Sequence, residues 1–76
     1  MIDEDKSQLL INFGNHLKKI RTEKGISLRK LELLSNVDYS QIHRIEKGET
    51  APSIITLINL ANGLEIDPKD FFDFER

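Results

Sequence analysis

Apolar residues recur every three or four positions along most of this chain, which is the spacing of α-helices that bury one face. A first helix is predicted from about Gln8 to Lys24, where Gly25 ends the pattern. Its apolar positions are Leu10, Phe13, Leu17 and Ile20. Residues 1–7 are polar and acidic and are expected to fray. The pattern favours an all-α chain.

Two shorter helical patterns follow, separated by a short break. They cover Ser27–Ser35 and Tyr39–Lys47, and Gly48 closes the unit. Asn36 tolerates the left-handed backbone that a tight helix exit needs. Val37 is expected to fill the corner between the two helices. A helix, a short turn and a second helix with a polar outer face form the helix-turn-helix layout.

The second of these helices combines a narrow apolar stripe with a broad polar face. Ile42 and Ile45 fall on the inner side when successive residues are turned by about 100°. Asp38 is a good N-cap because its carboxylate can accept hydrogen bonds from the free amides of the next turn. The outer face carries Tyr39, Ser40, His43, Arg44 and Lys47. Such groups bind base edges and phosphates, so the front of this helix is expected to enter a major groove.

The rest of the chain predicts one longer helix and one short one. Ser53 caps the longer helix, which covers Ile54–Asn62 and is broken by Gly63. The predicted core face is Ile54, Leu57, Ala61 and Leu64, with Ile58 and Leu60 flanking it. Asp67 and Pro68 are typical of the cap and first position of a last short helix.

The length and the charge fit one small domain, residues 1–76, with a localised basic segment. The net charge of −2 argues at first sight against a nucleic-acid partner. Residues 16–47, however, hold eight Lys/Arg and four Asp/Glu, whereas residues 1–15 and 48–76 contribute −2 and −4. A local patch matters more for phosphate binding than the total. Taken alone it is weak evidence, because surface charge varies along any chain.

Enzymatic, metal and cofactor chemistry find no support in the residues. The chain has no Cys, its two His, His16 and His43, fall on different helices, and its four Gly are too dispersed for a phosphate loop. We therefore expect no enzyme activity, no cofactor, no metal and no small-molecule effector. No apolar run is long enough to span a membrane and no signal peptide is evident, so we expect a cytoplasmic protein with no membrane partner.

The order and spacing of residues over roughly positions 13–72 are similar to those of the Xre/Cro-C1 family of bacterial and phage helix-turn-helix regulators. The matching residues are Ile20-Arg21, Lys24-Gly25-Ile26-Ser27, Leu31, Val37, Ser40, Ile42, Ile45-Glu46-Lys47-Gly48, Pro52-Ser53, Thr56-Leu57, Leu60-Ala61 and Leu64. The resemblance implies a five-helix, lambda-repressor-like DNA-binding domain whose central helix-turn-helix unit is residues 27–47.

Specific DNA contacts are assigned to the polar residues around this unit. The predicted base and groove contacts are Tyr39, Ser40, His43 and Arg44. The predicted phosphate contacts are Ser27, Arg29, Lys30, Gln41 and Lys47. Arg44 could make a two-pronged contact with a guanine, worth about 1–3 kcal/mol of discrimination. The alternative for any one groove residue is a phosphate contact or plain solvation.

The resemblance also implies an ion pair between Arg21, in the first helix, and Glu46, near the end of the second helix of the unit, Tyr39–Lys47, which is called the recognition helix below. Such a pair would fix the recognition helix on its scaffold, and the alternative is two solvent-facing charges worth little. The chain departs from the family at Leu28, where many members have a Gln, and at Glu32, where Ala is usual. Glu32 is expected to reach solvent or a cation such as Arg44.

Three Phe near the end of the chain are more than one small core needs. Phe72 is expected to pack inside. Phe71 and Phe74, together with Ile55, are expected to form the interface of a homodimer, since a two-fold dimer is the commonest homo-oligomer. The alternative is that all three Phe side chains fold back on the monomer.

The leading function is a sequence-specific, double-stranded DNA-binding transcriptional regulator that forms a homodimer on a near-palindromic operator. It resembles restriction–modification controller proteins and small phage repressors. The alternative is a protein-interaction module, or an antitoxin-like partner-binding protein, on the same fold. The basic, hydroxyl-bearing face of Tyr39–Lys47 favours the first, because a protein-docking face would carry apolar residues there.

Overall fold

A computed structural model describes the backbone of residues 3–74 and the side chains of residues 6–74. This part of the chain is entirely helical outside its turns and loops. Its elements are α1 (Asp3–Glu23), α2 (Leu28–Ser35), α3 (Tyr39–Glu46), α4 (Ile54–Leu64) and a 3₁₀ helix (Pro68–Phe72). None of these helices is both long and apolar enough to cross a membrane.

Both ends of the helical pattern differ from the sequence prediction. The described residues form four α-helices, not five, because the last element is a 3₁₀ helix. Its bonds span three residues, as when the amide of Asp70 donates to the carbonyl of Asp67 at 2.9 Å. The helix α1 begins at Asp3, before the predicted start near Gln8, and the acidic residues at positions 3–5 suit a helix N-terminus. Residues 1 and 2 lie outside the described residues.

The core lies where all four α-helices and the 3₁₀ helix meet. Its fully buried large side chains are Leu17, Leu31, Ile42, Ile45, Leu60, Leu64 and Phe71. The helices α1 and α3 approach closely at Gly14, where an added Cβ would lie 2.4 Å from the carbonyl oxygen of Ile45. The glycine inside α1 therefore marks a helix crossing, because any side chain would push the recognition helix away.

The course of α4 corrects two further predictions. Gly63 does not break this helix, which ends at Leu64 with Glu65 in a left-handed conformation at φ 57°. Gly63 instead packs on α2, where an added Cβ would lie 2.9 Å from the Cβ of Ser35. Ile54 is 74% exposed rather than part of the core, whereas the flanking Leu60 is fully buried. The buried face of α4 therefore centres on Leu60, Ala61 and Leu64 and does not include Ile54.

The C-terminal Phe side chains exchange their predicted places. Phe71 is fully buried and meets the ring of Phe13 edge-on, with ring centroids 5.8 Å apart. Phe72, expected inside, is 45% exposed. Adjacent residues of a 3₁₀ helix point about 120° apart, so only one of the pair can face the core. Phe74 is partly buried and packs against the core cluster.

Candidate nucleic-acid interface

The unit formed by α2, the turn and α3 is held by local caps. The Ser27 hydroxyl oxygen accepts from the amide of Lys30 at 3.0 Å, and an Asp38 carboxylate oxygen accepts from the amide of Ser40 at 3.2 Å. Asn36 lies in the left-handed region at φ 60° and its amide donates to the carbonyl of Glu32. Val37 is buried between the helices. The predicted caps and corner are therefore confirmed.

One face of α3 is buried and the opposite face is open. Ile42 and Ile45 are almost entirely buried and hold the helix against the core. Exposed on the outer face are Ser40, His43 and Arg44, followed by Lys47 just beyond the helix, while Tyr39 and Gln41 are partly buried. The polar face is thus available to a large partner and is not covered by the described part of the chain.

The front of α3 carries hydrogen-bond acceptors. The Ser40 hydroxyl donates to the Asp38 carboxylate. This hydrogen bond is the main cause that holds the pKa of Asp38 below its ordinary value, so the carboxylate stays ionised. Because an ionised carboxylate only accepts, the hydroxyl hydrogen of Ser40 is committed to it. The Ser40 oxygen is left with lone pairs that can accept from a donor on a partner.

A contact between α2 and α3 at the same end was not foreseen from the sequence. The guanidinium carbon of Arg29 lies 3.7 Å from the centre of the Tyr39 ring. A Glu32 carboxylate oxygen accepts from the backbone amide of Tyr39 at 3.1 Å. Glu32 therefore caps the recognition helix. The sequence leaves Arg44 as one cation that Glu32 could reach, but the cation near Glu32 in the structure is Arg29. The sequence does show an acidic residue, Glu32, in the helix that precedes the N-terminus of α3. It does not show how α2 and α3 lie against each other, so this contact could not be predicted.

The predicted phosphate contacts lie in different surroundings. Ser27, Arg29 and Lys30 are exposed together at the start of α2. Lys47 lies 3.3 Å from a carboxylate oxygen of Glu49, so part of its charge is balanced locally. Gln41 is partly buried. In residues 6–74, no three His, Cys, Asp or Glu side chains are grouped so as to hold a metal ion.

The rear of α3 is tied to α1 by a buried ion pair. The Arg21 guanidinium donates to both Glu46 carboxylate oxygens, at 2.6 Å from Nε and 3.0 Å from Nη2. The same guanidinium donates through Nη1 to the carbonyl of Ile26 at 2.8 Å, in the loop before α2. The side chains are only 9% and 3% exposed. One cation thus links α1, the end of α3 and the loop before α2.

The proposed interface residues are not all on the surface. Ile55 is 72% exposed, but Phe71 is fully buried in the core. Phe71 is therefore unsuited to a dimer interface, because exposing it would open the core between α1 and the 3₁₀ helix. The exposed apolar side chains on α4 are Ile54, Ile55 and Ile58, and Phe72 is exposed on the 3₁₀ helix. An apolar groove of about 290 Å³ is lined by Leu9, Leu10, Phe13, Pro52, Leu57 and Phe72.

Two capped helices joined by a tight turn, with the second exposed along its polar face, define a helix-turn-helix domain. Residues 17–71 match the model of the helix-turn-helix family HTH_3. The chain belongs to this Xre/Cro-C1-type family. The family is one of transcriptional regulators and not a known class of enzymes.

Curated relatives and solved structures agree with this assignment. An uncharacterized HTH-type transcriptional regulator of Haemophilus influenzae is 42% identical over 55 residues, which are 72% of this chain and 56% of the relative. The HTH-type transcriptional regulator SutR of Escherichia coli is 34% identical over 50 residues, which are 66% of this chain and 28% of SutR. The chain thus matches about half or less of the length of these relatives.

Solved structures of similar proteins share the fold over most of this chain. The restriction-modification controller protein C.AhdI from Aeromonas hydrophila has a TM-score of 0.81 at 36% identity, over 83% of this chain and 96% of C.AhdI. An HTH_3 family transcriptional regulator from Vibrio cholerae has a TM-score of 0.84 at 34% identity, over 88% of this chain and 38% of that one. The lambda-repressor-like helix-turn-helix arrangement is therefore established.

Proposed function

We propose that this chain is a sequence-specific, double-stranded DNA-binding transcriptional regulator that acts in the cytoplasm as a homodimer on a near-palindromic operator. The observation that carries this proposal is the open polar face of α3, on a helix fixed by buried Ile42 and Ile45. A helix-turn-helix domain places the N-terminal part of such a helix in the major groove. Family membership supports the same role.

The groove-facing residues divide into an acceptor end and a donor end. At the front, the Ser40 oxygen is an acceptor and suits an exocyclic amino group of adenine or cytosine. Further along, exposed Arg44 suits the two acceptors of a guanine. Between them, His43 is exposed on the same face and completes the groove contacts with Tyr39. Because the acceptor and the donor lie at different ends of α3, the two ends of an operator half-site are expected to differ in the bases that they prefer.

Phosphate contacts position the domain on the duplex. Arg29, Lys30 and the helix start at Ser27 form one group, and Lys47 with Gln41 forms a second group on α3. Such contacts release counterions, so affinity falls steeply as salt rises.

A second copy of the chain is the proposed occupant of the apolar surface on α4. Ile54, Ile55 and Ile58 are exposed there, and Phe72 is exposed on the 3₁₀ helix. Phe74 is partly buried and is assigned to the rim of this surface. A two-fold dimer would place two recognition helices about 34 Å apart, facing successive major grooves. The dimer therefore matches a near-palindromic operator.

Ile55→Glu is expected to convert the dimer to a monomer while leaving the domain folded, because it puts a charge into the proposed apolar interface at a position that is exposed in the single chain. Sedimentation velocity measures the change at a fixed protein concentration. Leu33→Glu is the matched control, since Leu33 is also exposed but lies on α2. A wild-type chain that sediments as a monomer at high concentration would contradict the dimer.

Selection from a genomic DNA pool at two salt concentrations tests the function. The wild-type chain is expected to enrich one paired motif at both concentrations and to lose total binding steeply between them. Enrichment of no motif at either concentration would contradict sequence-specific binding and favour the protein-interaction alternative.

A further inference from the structure

We infer that Arg29 and Glu32 of α2 are positioning residues that fix Tyr39 at the front of the recognition helix, so that Arg29 and Tyr39 contact DNA as one coupled pair. This inference rests on the proposed role of Tyr39 in the groove. It gives Arg29 a different role from that of a free phosphate contact. Two independent links between α2 and α3, one through each of these residues, support it.

The first link is the stack between Arg29 and Tyr39. The guanidinium lies over the ring with its carbon 3.7 Å from the ring centre, which is within the range of a cation–π contact. The N–H donors of a guanidinium lie in its plane and remain available when its face is stacked. The Arg29 side chain is 71% exposed, so these donors can reach a partner. The stack therefore orients the ring and the donors together.

The second link is the bond from the amide of Tyr39 to a Glu32 carboxylate oxygen at 3.1 Å. The next amide, that of Ser40, is already bonded to Asp38 at 3.2 Å. The first two amides of α3 are thus occupied by carboxylates of the protein and are not free for a phosphate. The other Glu32 oxygen lies 3.9 Å from Nη1 of Arg29. This places a cation beside the Glu32 carboxylate at the front of α3.

A positioning role and a phosphate role predict different consequences of losing Arg29. Losing a residue that only binds phosphate lowers the affinity for all sequences alike and reduces the salt dependence by about one ion. Losing a residue that holds the Tyr39 ring lowers the preference for the operator over unrelated DNA, because a free ring has more rotamers to lose on binding. Lys in place of Arg keeps the charge but has no planar face to stack.

The test compares Arg29→Lys, Tyr39→Leu and the double variant, with Lys30→Ala as the matched control at the neighbouring cation. Each is measured on the selected operator and on unrelated DNA of equal length. Arg29→Lys is expected to lower the ratio of the two affinities about three- to tenfold, and to have little effect when Tyr39 is already Leu. Lys30→Ala is expected to weaken both affinities alike. Additive effects of Arg29→Lys and Tyr39→Leu would overturn the coupling.

The protein without DNA provides a second readout. The chain has one Tyr and no Trp, so the tyrosine band of its near-ultraviolet circular dichroism reports on Tyr39 alone. Arg29→Lys and Glu32→Ala are expected to reduce this band because the ring loses its fixed orientation, with far-ultraviolet signal unchanged. An unchanged band would overturn the positioning role. If the wild-type chain prefers no sequence, the proposed function fails and so does the DNA part of this inference, although the band still tests the stack.

Discussion

Glu46→Ala is expected to destabilise the domain by about 3–5 kcal/mol, because it leaves the Arg21 guanidinium buried without its anion. The bond from Arg21 to the carbonyl of Ile26 remains but does not neutralise the charge. The free energy of unfolding, from urea titration followed by circular dichroism, measures the loss. A small domain has little stability to spare, so a substantial unfolded fraction is expected even without denaturant.

Two comparisons give this result its meaning. Glu49→Gln removes the exposed partner of Lys47 and is expected to cost at most about 1 kcal/mol. The double replacement of Arg21 and Glu46 by Met removes both charges and is expected to restore most of the stability lost in Glu46→Ala. If Glu46→Ala cost no more than Glu49→Gln, the pair would not be the link that fixes the end of α3.

Local features of the sequence predicted the helix-turn-helix unit well. The caps at Ser27 and Asp38, and the left-handed residue Asn36, depend on the chemistry of one residue and its near neighbours. The stripe formed by Ile42 and Ile45 depends only on helical spacing. Such features can be predicted without knowing what packs against them, because the interacting residues lie within about one helical turn of each other in the sequence.

The features that the sequence did not predict depend on partners far along the chain. A glycine such as Gly63 can end a helix or can allow another helix to pack closely against it. Only the position of Ser35 on α2 shows that Gly63 has the second role. The rings of Phe71 and Phe72 both lie beside Phe13, with centroids 5.8 and 5.7 Å away, and only the orientation of the 3₁₀ helix on the core buries Phe71. In each case the residue type is compatible with two roles, and the tertiary register selects one. The same holds for the Glu32 bond to the amide of Tyr39.

The recognition helix is held at both of its ends by different helices. At the front, Glu32 of α2 and the cap Asp38 bind its first amides. At the rear, Arg21 of α1 binds Glu46, and the carbonyls of the last turn pack on Gly14. A helix of eight residues has few hydrogen bonds of its own and would be marginal in isolation. Its rigidity in the proposed DNA-reading role therefore depends on these tertiary contacts.

Arg44→Ala is expected to remove the preference for guanine at one position of each operator half-site, a loss of about 1–3 kcal/mol per contact. Arg44 is exposed on the polar face of α3, and among the described residues no ion pair involves it. The truncation should therefore leave the fold intact, and unfolding should match wild type. Selection from a randomised half-site measures which base position loses its preference.

Two variants separate readout of bases from attraction to phosphate. Arg44→Lys keeps the charge but cannot make the two-pronged contact, so it is expected to lose most of the guanine preference while keeping the salt dependence. Lys47→Ala is expected to weaken binding to all sequences alike and to reduce the salt slope by about one ion. If Arg44→Ala instead behaved like Lys47→Ala, with the selected motif unchanged, Arg44 would be a phosphate contact and the donor end of the recognition helix would have to be assigned elsewhere.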